Sequence, residues 1–282
     1  MDMLDVKGLS KAYPSFCLKD ITFSLRAGVI TGFIGRNGAG KTTALKALLG
    51  MVHPDAGEVR FFGLDFAAHQ QEIKRRIGYV AGGFGFYPNK RLSAITAAAR
   101  AFYPGYWDDA AYCRYLQRFR LDEGKTPAQL SEGMKVKYAL TLALSHRAEL
   151  LILDEPTSGI DPVSREELKD IFLALNREGA TILFSTHITS DLEDCADRVL
   201  YLRDGALLAD APLRDFEGGY RAVSLTAEQR GRLDTSQLIG LRQGKEGYAA
   251  LLKTEDAAAF SLPAVPASLE TIMIHLEKEG EV

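Results

Sequence analysis

Val29-Ile30-Thr31-Gly32-Phe33-Ile34 runs directly into Gly35-Arg36-Asn37-Gly38-Ala39-Gly40-Lys41-Thr42, and then into Thr43-Ala44-Leu45-Lys46-Ala47-Leu48-Leu49. The first run is apolar and reads as a buried strand. The last reads as a helix from Lys41 to Leu49, with Gly50 as its stop. Between them stands G-x-x-x-x-G-K-[ST], in the strand–loop–helix context that this motif requires. Its glycines let backbone N–H groups turn inward around phosphate oxygens. The helix N-terminus adds favourable charge. In this reading Gly35, Asn37, Gly38, Ala39, Gly40 and Thr43 belong to a phosphate loop, Lys41 reaches the β- and γ-phosphates, and Thr42 binds Mg²⁺. The loop points to a nucleotide phosphate and, alone, to no one class of protein.

Strands and helices alternate outward from this stretch, which argues for an α/β fold with a largely buried sheet. Leu150-Leu151-Ile152-Leu153 is an apolar strand that ends in Asp154-Glu155. A strand ending in two carboxylates is, by itself, more often a solvated strand end. Beside a phosphate loop it reads differently: Asp154 holds Mg²⁺, and Glu155 is suited to polarise an attacking water. Thr181 to Ser185 reads as another central strand. Arg198 to Arg203, Asp204-Gly205 and Ala206 to Ala209 read as a hairpin with a tight turn.

A third element, Leu130-Ser131-Glu132-Gly133-Met134, precedes the carboxylate strand. Here the chain resembles the ATP-binding subunits of ABC transporters, whose signature is LSGGQ. The resemblance covers Leu4 to about Pro212, and its elements stand in the family's order: an aromatic at Tyr13, the phosphate loop, the signature, the Asp-Glu strand, Ser158-Gly159-Ile160-Asp161 as the D-loop, and Ser185-Thr186-His187 as the switch histidine. It implies a P-loop ABC ATPase core, taken as 1–215. The pattern itself changes between Tyr87 and His146, where segments such as 93–102 and 108–119 have helical spacing and read as a helical subdomain at about 87–146. It changes again from about Gly218, where strand-like and helix-like segments read as a small α+β accessory domain over 216–282. The resemblance also implies a head-to-tail dimer with a second copy, two ATP at the interface, and Mg²⁺ at each. Tyr13 then stacks on adenine, Ser131 and Gly133 grip the γ-phosphate bound by the other copy, Asp161 belongs to the ATP-binding set, and His187 joins Glu155 as a catalytic residue. Ser131 is equally suited to cap the helix that follows it, and one residue can do both.

Composition sets limits on this reading. A net charge of −3 and a pI near 6.0 supply none of the basic surface that nucleic acid binding uses, so no nucleic acid partner is expected. Cys17, Cys113 and Cys195 are scattered, with no metal-ligand or disulfide spacing, which fits a reducing cytosol. The N-terminal Met1-Asp2-Met3-Leu4-Asp5 is not a signal peptide. No apolar stretch approaches the ~20 residues that a membrane span needs. The resemblance therefore implies a separate transmembrane permease subunit, with this chain peripheral on the cytoplasmic face of the cell membrane.

Two departures from the family stand out. The signature carries Glu132 and Met134 where the family has Gly and Gln, and Glu132 should repel phosphate unless it points to solvent. After Ile77-Gly78-Tyr79-Val80, Gly82 stands where the family has a Gln that links the site to the membrane subunit. Phe86-Tyr87-Pro88-Asn89 and Ser268-Leu269-Glu270-Thr271-Ile272-Met273 are similar to segments of the ABC-2-type exporter branch. The aromatic stretch Phe102-Tyr103-Pro104-Gly105-Tyr106-Trp107 and the divergent signature are similar to subunits that export amphipathic peptides, such as phenol-soluble modulins, or give immunity to antimicrobial peptides. A drug exporter subunit and a soluble regulatory ABC ATPase are the alternatives. The tail from about Gly218 reads equally well as a dimerisation element or as a passive extension.

Overall fold

Leu4, Val6 and Leu9 point inward from Asp2–Tyr13 (β1), and Leu18, Ile21, Phe23 and Leu25 do so from Phe16–Arg26 (β2). Burying one face in this way pairs the two as an antiparallel hairpin. The computed structural model describes residues 2–81, 87–232, 235–245, 247–257 and 263–279. After the hairpin come β3 (Ile30–Ile34), α1 (Lys41–Leu48), β4 (Ala56–Phe61), β5 (Leu64–Asp65), α2 (Gln70–Arg75) and β6 (Ile77–Ala81). A helical stretch follows: α3 (Leu92–Ala101), α4 (Asp109–Arg118) and α5 (Glu132–Ser145). The chain returns to alternation with β7 (Leu150–Asp154), α6 (Pro162–Arg177), β8 (Thr181–Thr186), α7 (Ser190–Glu193), β9 (Arg198–Arg203), β10 (Ala206–Pro212) and α8 (Leu213–Gly218). The tail holds β11 (Tyr220–Leu225), α9 (Ala227–Arg232), β12 (Ile239–Gln243), β13 (Tyr248–Lys253), α10 (Thr254–Ala257), β14 (Ala264–Pro266) and α11 (Leu269–Lys278).

The central sheet has the order β10-β9-β3-β8-β7-β6. Its strands run parallel from β9 to β6, and only the edge strand β10 is antiparallel. Asp204 and Gly205 both have positive φ, 49° and 77°, which is the tight turn that a two-residue hairpin demands. The parallel strands are buried on both faces. On one face Phe33, Ile152 and Leu183 pack on Leu45 and Leu48 of α1 and on the β2-β1-β4-β5 sheet. On the other, Ile34, Leu153 and Phe184 pack on Phe172 of α6 and Leu140 of α5.

The third sheet, β12-β13-β11-β14, belongs to the tail. The last helix, α11, does not stay with that sheet alone. Its Leu269 and Ile272 are fully buried in the same core as Tyr201 and Phe216. The Tyr201 hydroxyl donates to Glu277 at 2.7 Å, and Leu269 N–H donates to Glu193 at 3.0 Å. On its other side His275 Nδ1 lies 2.7 Å from the Gly240 carbonyl.

Candidate functional site

Register brings the chemistry together. Ile34 pairs with Thr186 and Asp154 pairs with Ser185, so the carboxyl ends of β3, β8 and β7 lie side by side. In an open parallel sheet that end is where ligands bind. The chain leaves β3 through the phosphate loop and enters α1 at Gly40, whose φ of 107° is in the region that favours glycine. A Cβ there would stand 2.4 Å from the Phe16 ring. Gly38, at φ 88°, completes the turn.

Lys41 is only 5% exposed, although it begins a helix. Its ammonium donates to the Gly35 carbonyl at 2.7 Å and to that of Arg36 at 3.3 Å, and lies 3.2 Å from Glu155 Oε1. Thr42 donates its hydroxyl to Asp154 Oδ1 at 3.1 Å. The Ser185 hydroxyl donates to the same oxygen at 2.7 Å and accepts from Glu155 N–H at 3.0 Å. Glu155 has φ 50°, a strained value for a side-chain-bearing residue. Its Oε2 lies 2.8 Å from His187 Nδ1. Nearby, burial and then the charge of Asp154 push the Tyr79 hydroxyl up to about 12.

These residues border an open cleft of about 650 Å³, lined by Tyr13, Phe16, Asn37, Gly38, Lys41, Thr43, Glu155, Ser158 and His187 among others. Tyr13 is 41% exposed at its rim, with the Lys11 ammonium 5.7 Å from the ring centre. A flat ring above an open cleft is free to stack on a base. The donor set also fits a divalent cation. A hydroxyl and a buried carboxylate, Thr42 and Asp154, are hard oxygen ligands of the kind Mg²⁺ takes alongside phosphates. Gly35 and Ala39, in the same loop, are buried. A Cβ on Gly35 would meet the Leu202 carbonyl at 2.3 Å.

Three expected site residues are not brought to this cleft by their own chain. Ser131 is the N-cap of α5, where its oxygen accepts from Met134 N–H at 3.3 Å. Gly133 is buried, and a Cβ there would come 3.3 Å from Ser164. Asp161 caps α6, accepting from Ser164 N–H at 3.0 Å, and the backbone donors there lower its pKa. Glu132 is exposed and paired with Lys135 at 2.6 Å, so an ammonium beside it offsets its charge. Gly82 and Phe86 lie outside the described residues. Ser185 is a site residue that the sequence reading passed over. The triplet Ser185-Thr186-His187 was visible, but only its histidine carried a role.

The model of the ABC transporter family matches residues 18–158. The bacitracin transport ATP-binding protein BcrA of Bacillus licheniformis is 37% identical over 208 residues, which cover 72% of this chain and 68% of that one. The chain belongs to the ABC transporter family. YtrB, an ABC transporter ATP-binding protein of Bacillus subtilis, is 30% identical over 244 residues and covers 86% of this chain and 80% of its own length. Among solved structures, an ATP-binding subunit of an ABC transporter aligns with a TM-score of 0.68 and 31% identity, over 76% of this chain and 92% of that one. A dimeric ATP-binding cassette with bound ADP and Pi, 23% identical, shares the fold at a TM-score of 0.66. The α/β P-loop architecture is thus that of an ABC ATPase, and the chain is an ATP-binding, ATP-hydrolysing subunit. Among the described residues no helix is long and apolar enough to cross a membrane.

Proposed function

We propose that this ATPase works as a head-to-tail pair and powers export of amphipathic or antimicrobial peptides through a separate permease. The observation that carries the catalytic part is the Lys41–Glu155–His187 cluster at the cleft, with contacts of 3.2 Å and 2.8 Å. In this reading the phosphate loop and Lys41 hold the β- and γ-phosphates, and Tyr13 stacks on adenine. Thr42 and Asp154 hold Mg²⁺, which supplies charge neutralisation of the phosphates when bound. Glu155 accepts a proton from water as that oxygen bonds to the γ-phosphorus. The bond from phosphorus to the bridging oxygen breaks, and ADP and inorganic phosphate leave. His187 orients the carboxylate and the water.

The second copy supplies Ser131 and Gly133. Its α5 N-terminus faces the γ-phosphate with a hydroxyl donor and favourable helix charge. Support for this assignment is that Ser131 and Asp161 lie outside their own chain's cleft. We take 1–215 as the ATPase unit, 87–146 as its helical subdomain and 216–282 as an accessory unit, a division that the tail's own sheet supports. A second recess, of about 370 Å³, lies between the helical stretch and the core and is lined by Leu49, Met51, Tyr79, Tyr103, Trp107 and His146. We assign it to the permease. It is apolar, and it reaches β6, whose Ala81 pairs with Asp154. The chain would then sit peripherally on the cytoplasmic face of the membrane.

Export of a peptide is supported by the aromatic stretch at 102–107 and by the bacitracin transport named for the Bacillus licheniformis relative. A Nod factor export ATP-binding protein of Burkholderia orbicola, 32% identical over 212 residues, supports the direction. The test is co-purification with the permease and ATPase assay against a panel of amphipathic peptides and small drugs. Stimulation by peptides alone is expected. Stimulation by drugs alone would replace the substrate class, and failure to recover a permease would favour the regulatory ATPase.

A further inference from the structure

We infer that Asp191 is a positioning residue that holds Glu155, His187 and the D-loop as one unit, an inference that rests on the catalytic reading of Glu155 and His187. Asp191 stands four residues after His187, in the short helix α7, and is wholly buried behind the cleft. Its Oδ2 accepts from the Thr157 hydroxyl at 2.6 Å and from the Thr186 hydroxyl at 3.4 Å. Thr157 is two residues beyond Glu155. Thr186 immediately precedes His187, and its oxygen also accepts from Ile188 N–H at 3.0 Å. The two backbones that carry the catalytic pair are therefore tied to one carboxylate.

The other oxygen of Asp191 adds the third segment. Oδ1 lies 3.8 Å from Arg165 Nε, and neither atom has a hydrogen-bond partner among the described residues. The Arg165 guanidinium also reaches the Ile160 carbonyl of the D-loop at 3.5 Å. Its neighbour Ser164 packs on Gly133, at the start of the signature helix. Asp191 thus connects this chain's own cleft to the surface that serves the other copy's ATP.

Stability alone does not account for this arrangement. A buried charge pair is weak evidence for stability, and one left 3.8 Å apart forgoes the hydrogen bonds that would offset its desolvation. Its directional bonds do fix where Thr157 and Thr186 lie. Misplacing a reacting group by about 1 Å costs on the order of 10²-fold in rate.

The test uses the full chain, with steady-state ATPase assays, equilibrium binding of a fluorescent ATP analogue, and thermal unfolding. Asp191→Asn keeps the shape and an acceptor for Thr157 but removes the charge facing Arg165. Its expected effect is a loss in kcat on the order of 10- to 10²-fold, with KM and analogue binding within about threefold. Thr157→Val should lower kcat too, and adding it to Asp191→Ala, which already lacks the acceptor for Thr157, should cost little more, because both remove the same contact. Asp191→Ala should be the more severe, and if it does not fold, Asp191→Asn carries the test. Normal kcat in Asp191→Asn, or a kcat loss that only tracks the folded fraction, overturns the inference. Glu155→Gln run alongside separates the two claims. If it hydrolyses ATP normally, the catalytic reading fails. If it is inactive while Asp191→Asn is normal, only the role of Asp191 fails.

Discussion

At the scale of single residues, the chemistry was legible where residue type and position coincide. Asp154 ends β7, Glu155 and His187 directly follow β7 and β8, and Lys41 and Thr42 follow the loop after β3, so the five meet at one end of the sheet. Ser185 and Asp191 were not legible, because a serine in a strand and an aspartate in a short helix carry no signal until the sheet register places them. The Glu155 assignment gives a sharp expectation. Glu155→Gln should bind ATP and accumulate the dimer while turnover falls on the order of 10²- to 10⁴-fold, the span of general-base contributions. Size-exclusion chromatography with ATP and a phosphate-release assay read both halves. Lys41→Ala should instead lose tight ATP binding, measured by equilibrium titration. Two residues outside the cleft carry a pH signature. Burial lowers the pKa of His146, which stacks on Tyr103 at 3.9 Å, and also that of His275, where the charge of Arg242 acts in the same direction. The folded chain therefore binds fewer protons than the unfolded chain once the pH falls toward 6.5, the ordinary value for histidine. Stability from both is fully present above that pH and is lost as the pH falls through the unfolded value and on through the lower folded ones. Urea midpoints should fall between about pH 6.5 and 5, and the fall should be shallower in His146→Gln/His275→Gln.

At the scale of elements, the α1, α3, α4 and α5 helices and the central strands follow from apolar runs and stops that the chain displays openly. The β1–β2 hairpin was missed. Its inward residues are separated by charged and polar ones, and its register shifts between Val6 and Leu9 and again before Lys11 interrupt the period of two. The two roles left open for Ser131, cap and phosphate ligand, are separable on this structure. The N-cap contact to Met134 needs only a side-chain oxygen. Ser131→Ala removes it and should cost about 1 kcal/mol in urea unfolding. Ser131→Asp caps as well as serine, so its unfolding midpoint should stay close to that of the parent. Yet it places a carboxylate where the other copy's γ-phosphate is expected, and ATP-driven dimerisation in a Glu155→Gln background should be lost. A Ser131→Asp chain that still dimerises on ATP would remove Ser131 from the phosphate contact and leave it a cap alone.

At the scale of the whole molecule, the tail was the least legible part. Its strands and last helix can be read individually, but nothing in their order tells which surface that helix covers. The structure puts α11 across the ATPase core, with Leu269 and Ile272 fully buried beside Tyr201 and Phe216. Glu277 receives the Tyr201 hydroxyl and lies 3.8 Å from Arg36 of the phosphate loop, while Glu193, in the helix that follows His187, caps the start of α11. A passive extension would leave stability nearly unchanged when removed. A helix that completes the core would not. Ile272→Ala deletes buried methyl and methylene groups and should cost about 2–5 kcal/mol, depending on how far the site collapses. Removing 218–282 should lower the unfolding temperature more than any single substitution in α11, because Tyr201, Leu213 and Phe216 lose their cover together. Thermal unfolding of the two variants, followed by size-exclusion of the truncated chain with ATP in the Glu155→Gln background, separates the tail's contributions. A truncated chain that stays folded and fails to pair would make the tail a dimerisation element. One that unfolds at a lower temperature yet still pairs when kept cool would make α11 part of the ATPase core.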